Sequence, residues 1–298
     1  MLAAIPRTRA RDVFVRGFGV VFVAAFVSLL AQVRVLYGAR GLLPACRLVD
    51  ATDWTQTPSL FHLSCGDVAL QTGAAAGALL GVVLALGFVP RVCLVACWLL
   101  YFSFVSVGQD FLWFQWDNLL LETGFFALFV TPGGRRLRGA PAPPAAGVFL
   151  MLWLLIRLQF ESGAAKLLLG DPTWRDLTAM ATYYETAPLP TWVGWWAHQM
   201  PTWAHRASAL FTYVVELGLP WLVFGPRPLR LVAFVGMAAM QVSVIATANY
   251  GFFNYLSLAL CLWVLDDGHL AWLARRLGRA PPARRAGTAP GSAPCSWR

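Results

Sequence analysis

The sequence predicts an all-α, polytopic membrane protein, a transmembrane helical bundle of about six to eight spans. Hydrophobic residues make up 58% of the 298 positions, charged residues only 12%, and the mean hydropathy is +0.62. Average soluble domains are about 25% charged. Apolar stretches close to the roughly 20 residues needed to cross a bilayer recur along the whole chain. Together, these observations exclude an ordinary soluble domain.

The apolar stretches follow one another with short connections. They occupy residues 13–33, 68–90, 92–108, 111–131, 146–169, 208–225, 229–247 and 252–266. The first stretch is about twenty residues long and is not followed by a clear small-x-small cleavage site, unlike a removable signal peptide. We therefore interpret it as a retained signal anchor.

The net charge of +9 comes from arginines that cluster at the ends of apolar stretches. This distribution is typical of the positive-inside rule and does not indicate nucleic-acid binding. The orienting clusters are Arg7, Arg9, Arg11 and Arg16 before the first stretch, and Arg135, Arg136 and Arg138 in the linker 132–145. They predict a cytosolic N-terminus and a cytosolic linker. Segments 34–67 and 170–207 are then predicted to be luminal loops.

The second luminal loop is rich in tryptophan. Five of the fourteen tryptophans lie between Trp174 and Trp203, together with Tyr183 and Tyr184. Aromatic side chains with one polar edge concentrate at membrane–water interfaces. The sequence thus predicts that this luminal segment lies in the interface of the membrane, which makes lipid a partner.

Residues 1–270 are predicted to form one multi-span membrane domain. The remainder, 271–298, is a basic segment rich in proline, alanine and arginine with few large apolar residues. Such a composition cannot bury enough apolar surface to fold, so we expect it to be disordered.

Cys46 and Cys65 both lie in the first luminal loop. An oxidising compartment would permit a disulfide between them, but the sequence leaves open whether they pair or remain thiols. The chain has no CxxC pair, which argues against a redox site of the thioredoxin type or a zinc ribbon.

The stretch 146–169 carries three charges, Arg157, Glu161 and Lys166, each of which costs about 2.5–3.5 kcal/mol at the centre of a membrane helix. Arg157 and Glu161 are i,i+4 neighbours and can pair. Lys166, the chain's only lysine, points to the opposite face. It could reach the interface, pair with another helix, or act as a base, since lysine can lose its proton when buried.

A second polar group interrupts the stretch 111–131. Asp117 and Glu122 are natural partners for Arg157 or Lys166, because ionisable groups inside membranes usually face the interior of the bundle. The sequence therefore predicts a buried polar network of Asp117, Glu122, Arg157, Glu161 and Lys166. The alternative is that Asp117 lies in a re-entrant or interfacial turn and is solvated.

Motifs of common enzymes are missing from the sequence. It contains no HExxH, GxSxG or Walker loop, and no GxGxxG that follows a strand. We therefore predict neither a metal site nor a cofactor.

Several blocks resemble the membrane region of the lipase maturation factor family, and in particular its second paralogue. They are YGARGLLP (37–44), VGQDFLWFQWDNLLLETGF (107–125), SGAAKLLLGDPTWRDLTAMATYYETAPLPT (162–191), WWAHQMPTWAHR (195–206), NYGFFN (249–254) and LDD (265–267). The resemblance runs from about residue 14 to 270, and the WRDLTAM…YYET block is its most specific part.

This resemblance implies a multi-pass protein of the endoplasmic reticulum membrane that assists secreted proteins, lipases among them, to fold or assemble without catalysing a reaction. It places client binding or another luminal function on Trp174, Arg175, Asp176, Tyr184 and Glu185. Family members continue past the last span into a large luminal domain. We therefore expect this chain to be a truncated or alternatively spliced form.

A fainter likeness links Arg157, SGAAKL and Trp174 to the membrane motif of the vitamin K-dependent carboxylases. In that family the lysine that aligns with Lys166 is the catalytic base. The likeness implies an alternative function, a membrane-embedded enzyme that uses Lys166 as its base.

Overall fold

The computed structural model describes residues 5–276 and residue 278, which form a bundle of helices. The α-helices are α1 (Thr8–Leu36), α2 (Ala45–Ala51), α3 (Asp67–Leu86), α4 (Pro90–Val107), α5 (Gln115–Ala127), α6 (Ala145–Leu168), α7 (Pro172–Arg175), α8 (Ala179–Thr186), α9 (Trp192–His198), α10 (Thr202–Tyr213), α11 (Arg227–Thr247), α12 (Phe253–Cys261) and α13 (Asp267–Arg276). Short 3-10 helices lie at Leu60–His62, Gln109–Leu112 and Leu262–Val264. Helix α10 continues through a π turn (Val214–Gly218) into a 3-10 segment (Leu219–Phe224).

Six helical segments in the described part of the chain are long and apolar enough to cross a membrane. They are Thr8–Leu36, Asp67–Leu86, Pro90–Val107, Ala145–Leu168, Thr202–Phe224 and Arg227–Thr247. A seventh is obtained if Phe253–Val264 and Asp267–Arg276, which are bent by 102° relative to each other, count as one span. The predicted all-α, polytopic bundle is thus confirmed, with a number of spans inside the predicted range.

The apolar stretch 111–131 differs from the other spans, because α5 has only 13 residues. The segment 108–131 nevertheless returns along α4 for its whole length. Three hydrogen bonds connect the two in antiparallel register: Tyr101 to Asp117, Trp98 to the carbonyl of Leu121, and Arg91 to the carbonyl of Thr131. The chain therefore arrives at residue 131 beside the start of α4.

Helices α1 and α3 pack with their backbones close together. A Cβ atom at Gly19 would lie 2.5 Å from the backbone nitrogen of Ala85, and one at Gly77 would overlap the ring of Phe26. Small residues permit this close approach, on which association of helices in a membrane depends. Buried rings then recur every four residues along α1, at Phe14, Phe18, Phe22 and Phe26.

One end of the bundle, which we call the arginine-rich end, comprises residues 5–16, 86–91, 131–144, 225–230 and 262–276. The backbone N–H groups of Thr8 and Arg9 donate to the carboxylate of Asp267 at 3.1 and 2.9 Å. The N–H of Asp267 in turn donates to the carbonyl of Pro6 at 3.0 Å. The first and last helices of the described chain therefore meet at the same end of the bundle.

Asp266 organises the arginine-rich end. Its carboxylate is fully buried and lies 3.1 Å from Arg230, from Arg227 and from His269. Arg230 is also buried and donates to the carbonyl of Val264. These contacts fix the bend between α12 and α13 against the start of α11.

The opposite end, which we call the tryptophan-rich end, comprises residues 37–66, 108–114, 169–201 and 248–252. Its first loop is closed by a disulfide between Cys46 and Cys65, whose Cα atoms lie 5.5 Å apart. The predicted loops 34–67 and 170–207 are shorter in the structure, because α1 continues to Leu36, α3 begins at Asp67 and α10 begins at Thr202.

The second loop of the tryptophan-rich end folds into the short helices α7, α8 and α9. Three of its indoles, Trp192, Trp195 and Trp196, are largely exposed, and so is Trp203 at the start of α10. Exposed apolar side chains in such number are unfavourable in water but suit the boundary between lipid and water. This is the arrangement that the predicted interfacial layer requires.

The predicted disordered tail differs in its first residues, because 271–276 belong to α13. Apart from Gly278, the rest of that tail lies outside the described residues.

Candidate functional site

Lys166 lies on the last turn of α6 and contacts the π turn that follows α10. Its ammonium nitrogen lies 2.9 and 2.8 Å from the two carboxylate oxygens of Glu216, and it donates to the carbonyl of Ser162 at 3.1 Å. The indole of Trp174 covers the same nitrogen, 5.1 Å from the ring centre. An ammonium group has three donors. Every donor of Lys166 thus has an acceptor.

The sequence predicted Asp117 and Glu122 as partners for Arg157 or Lys166. In the structure Glu122 pairs with Arg157, but the partner of Lys166 is Glu216, which the prediction did not include. Glu216 is the one charged residue in the apolar stretch 208–225, and this isolation was the signal that could have identified it, since intramembrane acids usually have partners. The packing of α10 against α6 is needed to show that the cation paired with Glu216 is Lys166.

Local sequence explains why Glu216 faces α6. Pro220 has no backbone N–H, so a regular α-helical bond to the carbonyl of Glu216 cannot form. The helix widens into the π turn, a feature that often redirects side chains at functional sites. On the facing helix, a Cβ atom at Gly163 would lie 2.9 Å from the Cβ of Glu216. The glycine therefore permits the close approach that brings Glu216 to Lys166.

Arg157 forms a separate cluster on the other face of α6. It pairs with Glu122 of α5 and lies 3.6 Å from Glu161, its i,i+4 neighbour. The side chains of Arg157 and Glu122 are about one-third exposed and that of Glu161 two-thirds exposed. This cluster therefore lies at the surface of the bundle, whereas the prediction placed these residues in a buried network.

Asp117 is buried but joins neither cluster. The hydroxyl of Tyr101 donates to its carboxylate at 2.5 Å, and only 1% of the residue is exposed. The alternative of a solvated turn therefore does not hold for Asp117. The five residues of the predicted network, Asp117, Glu122, Arg157, Glu161 and Lys166, thus occupy three separate places.

The five residues of the predicted luminal block divide into an inner and an outer group. Trp174 contacts Lys166, and Tyr184 is buried beside Met180 and His205. Arg175, Asp176 and Glu185 are exposed at the tryptophan-rich end. The inner pair supports the site beneath it, and the outer three are accessible to a partner.

A cavity of about 290 Å³ extends from Lys166 and Glu216 into the bundle. Its walls come from α5, α6, α8, α11 and α12 and from the π turn. Polar groups enter it from three helices, as Gln159 of α6, Gln241 of α11 and Asn254 of α12. The cavity thus combines one ion pair, several amides and apolar walls.

Tyr183 of α8 and Tyr250 close the cavity toward the tryptophan-rich end. Burial raises the pKa of Tyr183, which also shares a hydrogen bond with Tyr250. This phenol therefore remains neutral, and the charge around the cavity is limited to the compensated pair of Lys166 and Glu216. Within residues 5–276 and 278, no group of three or more His, Cys, Asp or Glu side chains is arranged to hold a metal ion.

Comparison with known proteins agrees with the sequence resemblance. A family model described as the lipase maturation factor transmembrane domain matches residues 9–272. The chain is 43% identical to lipase maturation factor 2 of Mus musculus over 286 residues, and 41% identical to that of Homo sapiens over the same length. It is 32% identical to lipase maturation factor 1 of Mus musculus over 281 residues.

These matches cover 88% of this chain in each case, but 40% of the two lipase maturation factor 2 proteins and 49% of the murine lipase maturation factor 1. The chain thus spans less than half the length of these relatives. No solved structure matches it. The family match covers nearly all of the helical bundle, including Lys166, Glu216 and the tryptophan-rich end. The chain therefore belongs to the lipase maturation factor family, and the bundle described above is that family's transmembrane domain.

Proposed function

We propose that this chain is the membrane part of an endoplasmic reticulum protein that assists secreted proteins, such as lipases, to fold, assemble or mature. Membership of the lipase maturation factor family supports this role. Because the chain spans about 40% of the lipase maturation factor 2 relatives, the proposal assigns it the membrane-embedded share of the activity. Its action on clients is non-enzymatic.

The ion pair of Lys166 and Glu216 carries the non-enzymatic part of the proposal. A lysine that serves as a base must present a neutral amine to its substrate. Lys166 instead directs two hydrogen bonds at one carboxylate and a third at a backbone carbonyl. These contacts would have to break before the amine could accept a proton. The geometry therefore favours a structural role over the carboxylase-like alternative.

The Lys166→Arg variant tests this assignment. Arginine keeps the charge but cannot give up its proton, so a base would be lost while an ion pair would survive. We expect the variant to retain at least about half of the wild-type activity, since it changes charge geometry rather than charge. The assay uses cells whose own lipase maturation factors are deleted, supplied with a relative that carries this transmembrane domain in place of its own. The quantity measured is secreted lipase activity per amount of lipase protein.

Two results of this assay would count against the proposal. A Lys166→Arg protein that accumulates normally but no longer supports lipase activity would make the carboxylase-like alternative the better one. A wild-type domain that accumulates normally yet never raises lipase activity would contradict a role in lipase maturation.

The exposed residues Arg175, Asp176 and Glu185 are the proposed contacts to client proteins, with Trp174 and Tyr184 holding them in place. Within residues 5–276 and 278, their side chains form no hydrogen bond or ion pair, so alanine replacements should leave accumulation unchanged. In the same assay, the triple alanine variant should lower lipase activity and its co-purification with the domain. Unchanged lipase activity would remove client binding from this block.

We further propose that the arginine-rich end faces the cytosol and the tryptophan-rich end faces the lumen. The cations of the first end outnumber those of the second, as the positive-inside rule requires. Because residues 7–9 and 263–267 contact each other, both ends of the described chain then lie on the cytosolic side. Cys46 and Cys65 lie on the luminal side, where oxidising conditions maintain disulfides.

Epitope tags test this orientation in sealed microsomes. Tags at residue 1 and within 132–145 should be digested by added protease, because residues 5–16 and 131–144 belong to the arginine-rich end. A tag near residue 190 should be protected until detergent is added. Protection of the tag within 132–145 would contradict the orientation.

A further inference from the structure

Two side chains that line the cavity each carry a buried polar atom with no hydrogen-bond partner among residues 5–276 and 278. These atoms are the amide nitrogen of Gln159, on α6, and the amide oxygen of Gln241, on α11. The two residues are 2% and 4% exposed. A buried polar group without a partner destabilises the protein. One unpartnered donor and one unpartnered acceptor therefore belong to side chains that line the same cavity from different helices.

The charges around the cavity compensate each other. Lys166 and Glu216 form a pair, and the other polar groups of the lining are uncharged. They are amides, hydroxyls such as that of Thr212, and the neutral phenol of Tyr183. An anionic or cationic ligand would have to disturb the pair in order to be neutralised. The site therefore suits an uncharged ligand.

Much of the cavity wall is apolar. Leu158, Met240, Val244 and Phe253 present hydrocarbon and an aromatic ring to the cavity. Burial of alkyl groups against such walls is favourable by the area removed from water. Ligand pockets commonly combine apolar walls with a few convergent polar groups in this way.

The cavity has an approach at the tryptophan-rich end. A second depression, of about 470 Å³, shares Gln115, Ser162, Lys166 and Trp174 with it and lies beside the end of α6. Exposed indoles of the same end are suited to the membrane–water boundary. An amphiphile that dissolves in this boundary would therefore reach the entrance.

We propose that this cavity is a binding site for a neutral single-chain amphiphile whose head group is a hydroxyl. A hydroxyl both donates and accepts, so it offers a donor to the oxygen of Gln241 and an acceptor to the nitrogen of Gln159. The alkyl chain packs against Val244, Met240 and Phe253. This inference stands apart from the proposed function, because neither the site nor its test involves a lipase.

The test is photolabelling of the purified chain in detergent with a medium-chain primary alcohol that carries a diazirine. We expect labelled peptides from the inner faces of α6, α11 and α12, and competition by the unmodified alcohol. The methyl ether of the same alcohol accepts a hydrogen bond but cannot donate one. It should therefore compete roughly tenfold more weakly than the alcohol, because a tenfold change in affinity corresponds to about one hydrogen bond.

Two valines of α11 provide a matched pair of variants. Val244 lines the cavity, whereas Val242 is 55% exposed on the outer surface. Val244→Trp should fill the cavity and remove nearly all competable labelling, and Val242→Trp should leave it unchanged.

Gln241→Leu removes the free acceptor without filling space, and it should weaken binding roughly tenfold while the protein remains as stable as wild type.

The proposal is overturned if labelling is confined to outward-facing residues, or if Val244→Trp and Val242→Trp label alike while both proteins remain folded. Equal competition by the alcohol and its methyl ether would also overturn it, since the amides would then be satisfied by water alone. Should Val244→Trp fail to fold, Gln241→Leu decides: undiminished binding by that variant refutes the assignment.

Discussion

Replacing Glu216 with leucine is expected to destabilise the folded protein by about 3–5 kcal/mol, because it leaves the largely buried ammonium of Lys166, 21% exposed, without its counter-charge. Lys166→Met should cost a similar amount, since the carboxylate of Glu216 is 7% exposed and would lose its partner. Differences of this size are a large fraction of the stability of a typical domain. Neither single variant should accumulate to wild-type levels.

The double variant Lys166→Met/Glu216→Leu shows whether the two residues depend on each other or whether the site tolerates no substitution at all. Apolar replacement of both members of a buried pair is often neutral or stabilising. We therefore expect the double variant to recover most of the lost stability. Thermal denaturation of the purified proteins in detergent measures all three. A double variant that is as unstable as the sum of the singles would show that the residues act independently.

Asp266→Ala should have an effect of the same order at the arginine-rich end. Asp266 is fully buried and is the carboxylate that neutralises Arg230, itself 1% exposed. Without it, the acceptor left to the buried Arg230 among residues 5–276 and 278 is the carbonyl of Val264. We expect a loss of about 3–5 kcal/mol and a weaker attachment of α13 to α11.

Arg227 supplies the matched control for this prediction. It contacts the same carboxylate oxygen at 3.1 Å, but its side chain is 62% exposed. An exposed ion pair contributes about 0–1 kcal/mol, so Arg227→Ala should be mild and Arg230→Ala severe. Denaturation midpoints in detergent compare the two. If Arg227→Ala and Arg230→Ala lowered the stability equally, burial would not determine how much each arginine contributes to it.

Much of the fold was predictable because the signals for it are local. The sizes of the apolar stretches gave an all-α bundle, and the positions of Asp117, Arg157 and Lys166 within them marked where charge needs a partner. The span at 111–131 was less regular than expected because polar residues at its start favour a 3-10 turn before α5. The angle at which α12 and α13 meet depends on Asp266 and its partners at distant positions.

The candidate site was predictable only in part. Lys166 was notable in the sequence as the single lysine, and the resemblance of its surroundings to the family singled out Trp174. Glu216 was not identified, because it lies 50 positions from Lys166 and its stretch otherwise appears purely apolar. The predicted five-residue network was wrong as a unit, since helical period gives the face of a residue but not the neighbour that this face meets.

By itself, the sequence determined the fold class, the family and the residues that had to find partners, because hydropathy, helical period and charge are properties of short segments. Tertiary structure alone decided that Lys166 pairs with Glu216, that Arg157 pairs with Glu122 at the surface, and that Gln159 and Gln241 line one cavity. The physical reason is that an ion pair or a cavity depends on distances of a few ångströms between helices. Those distances follow from the packing of residues such as Gly163 and Pro220 and not from separation along the chain.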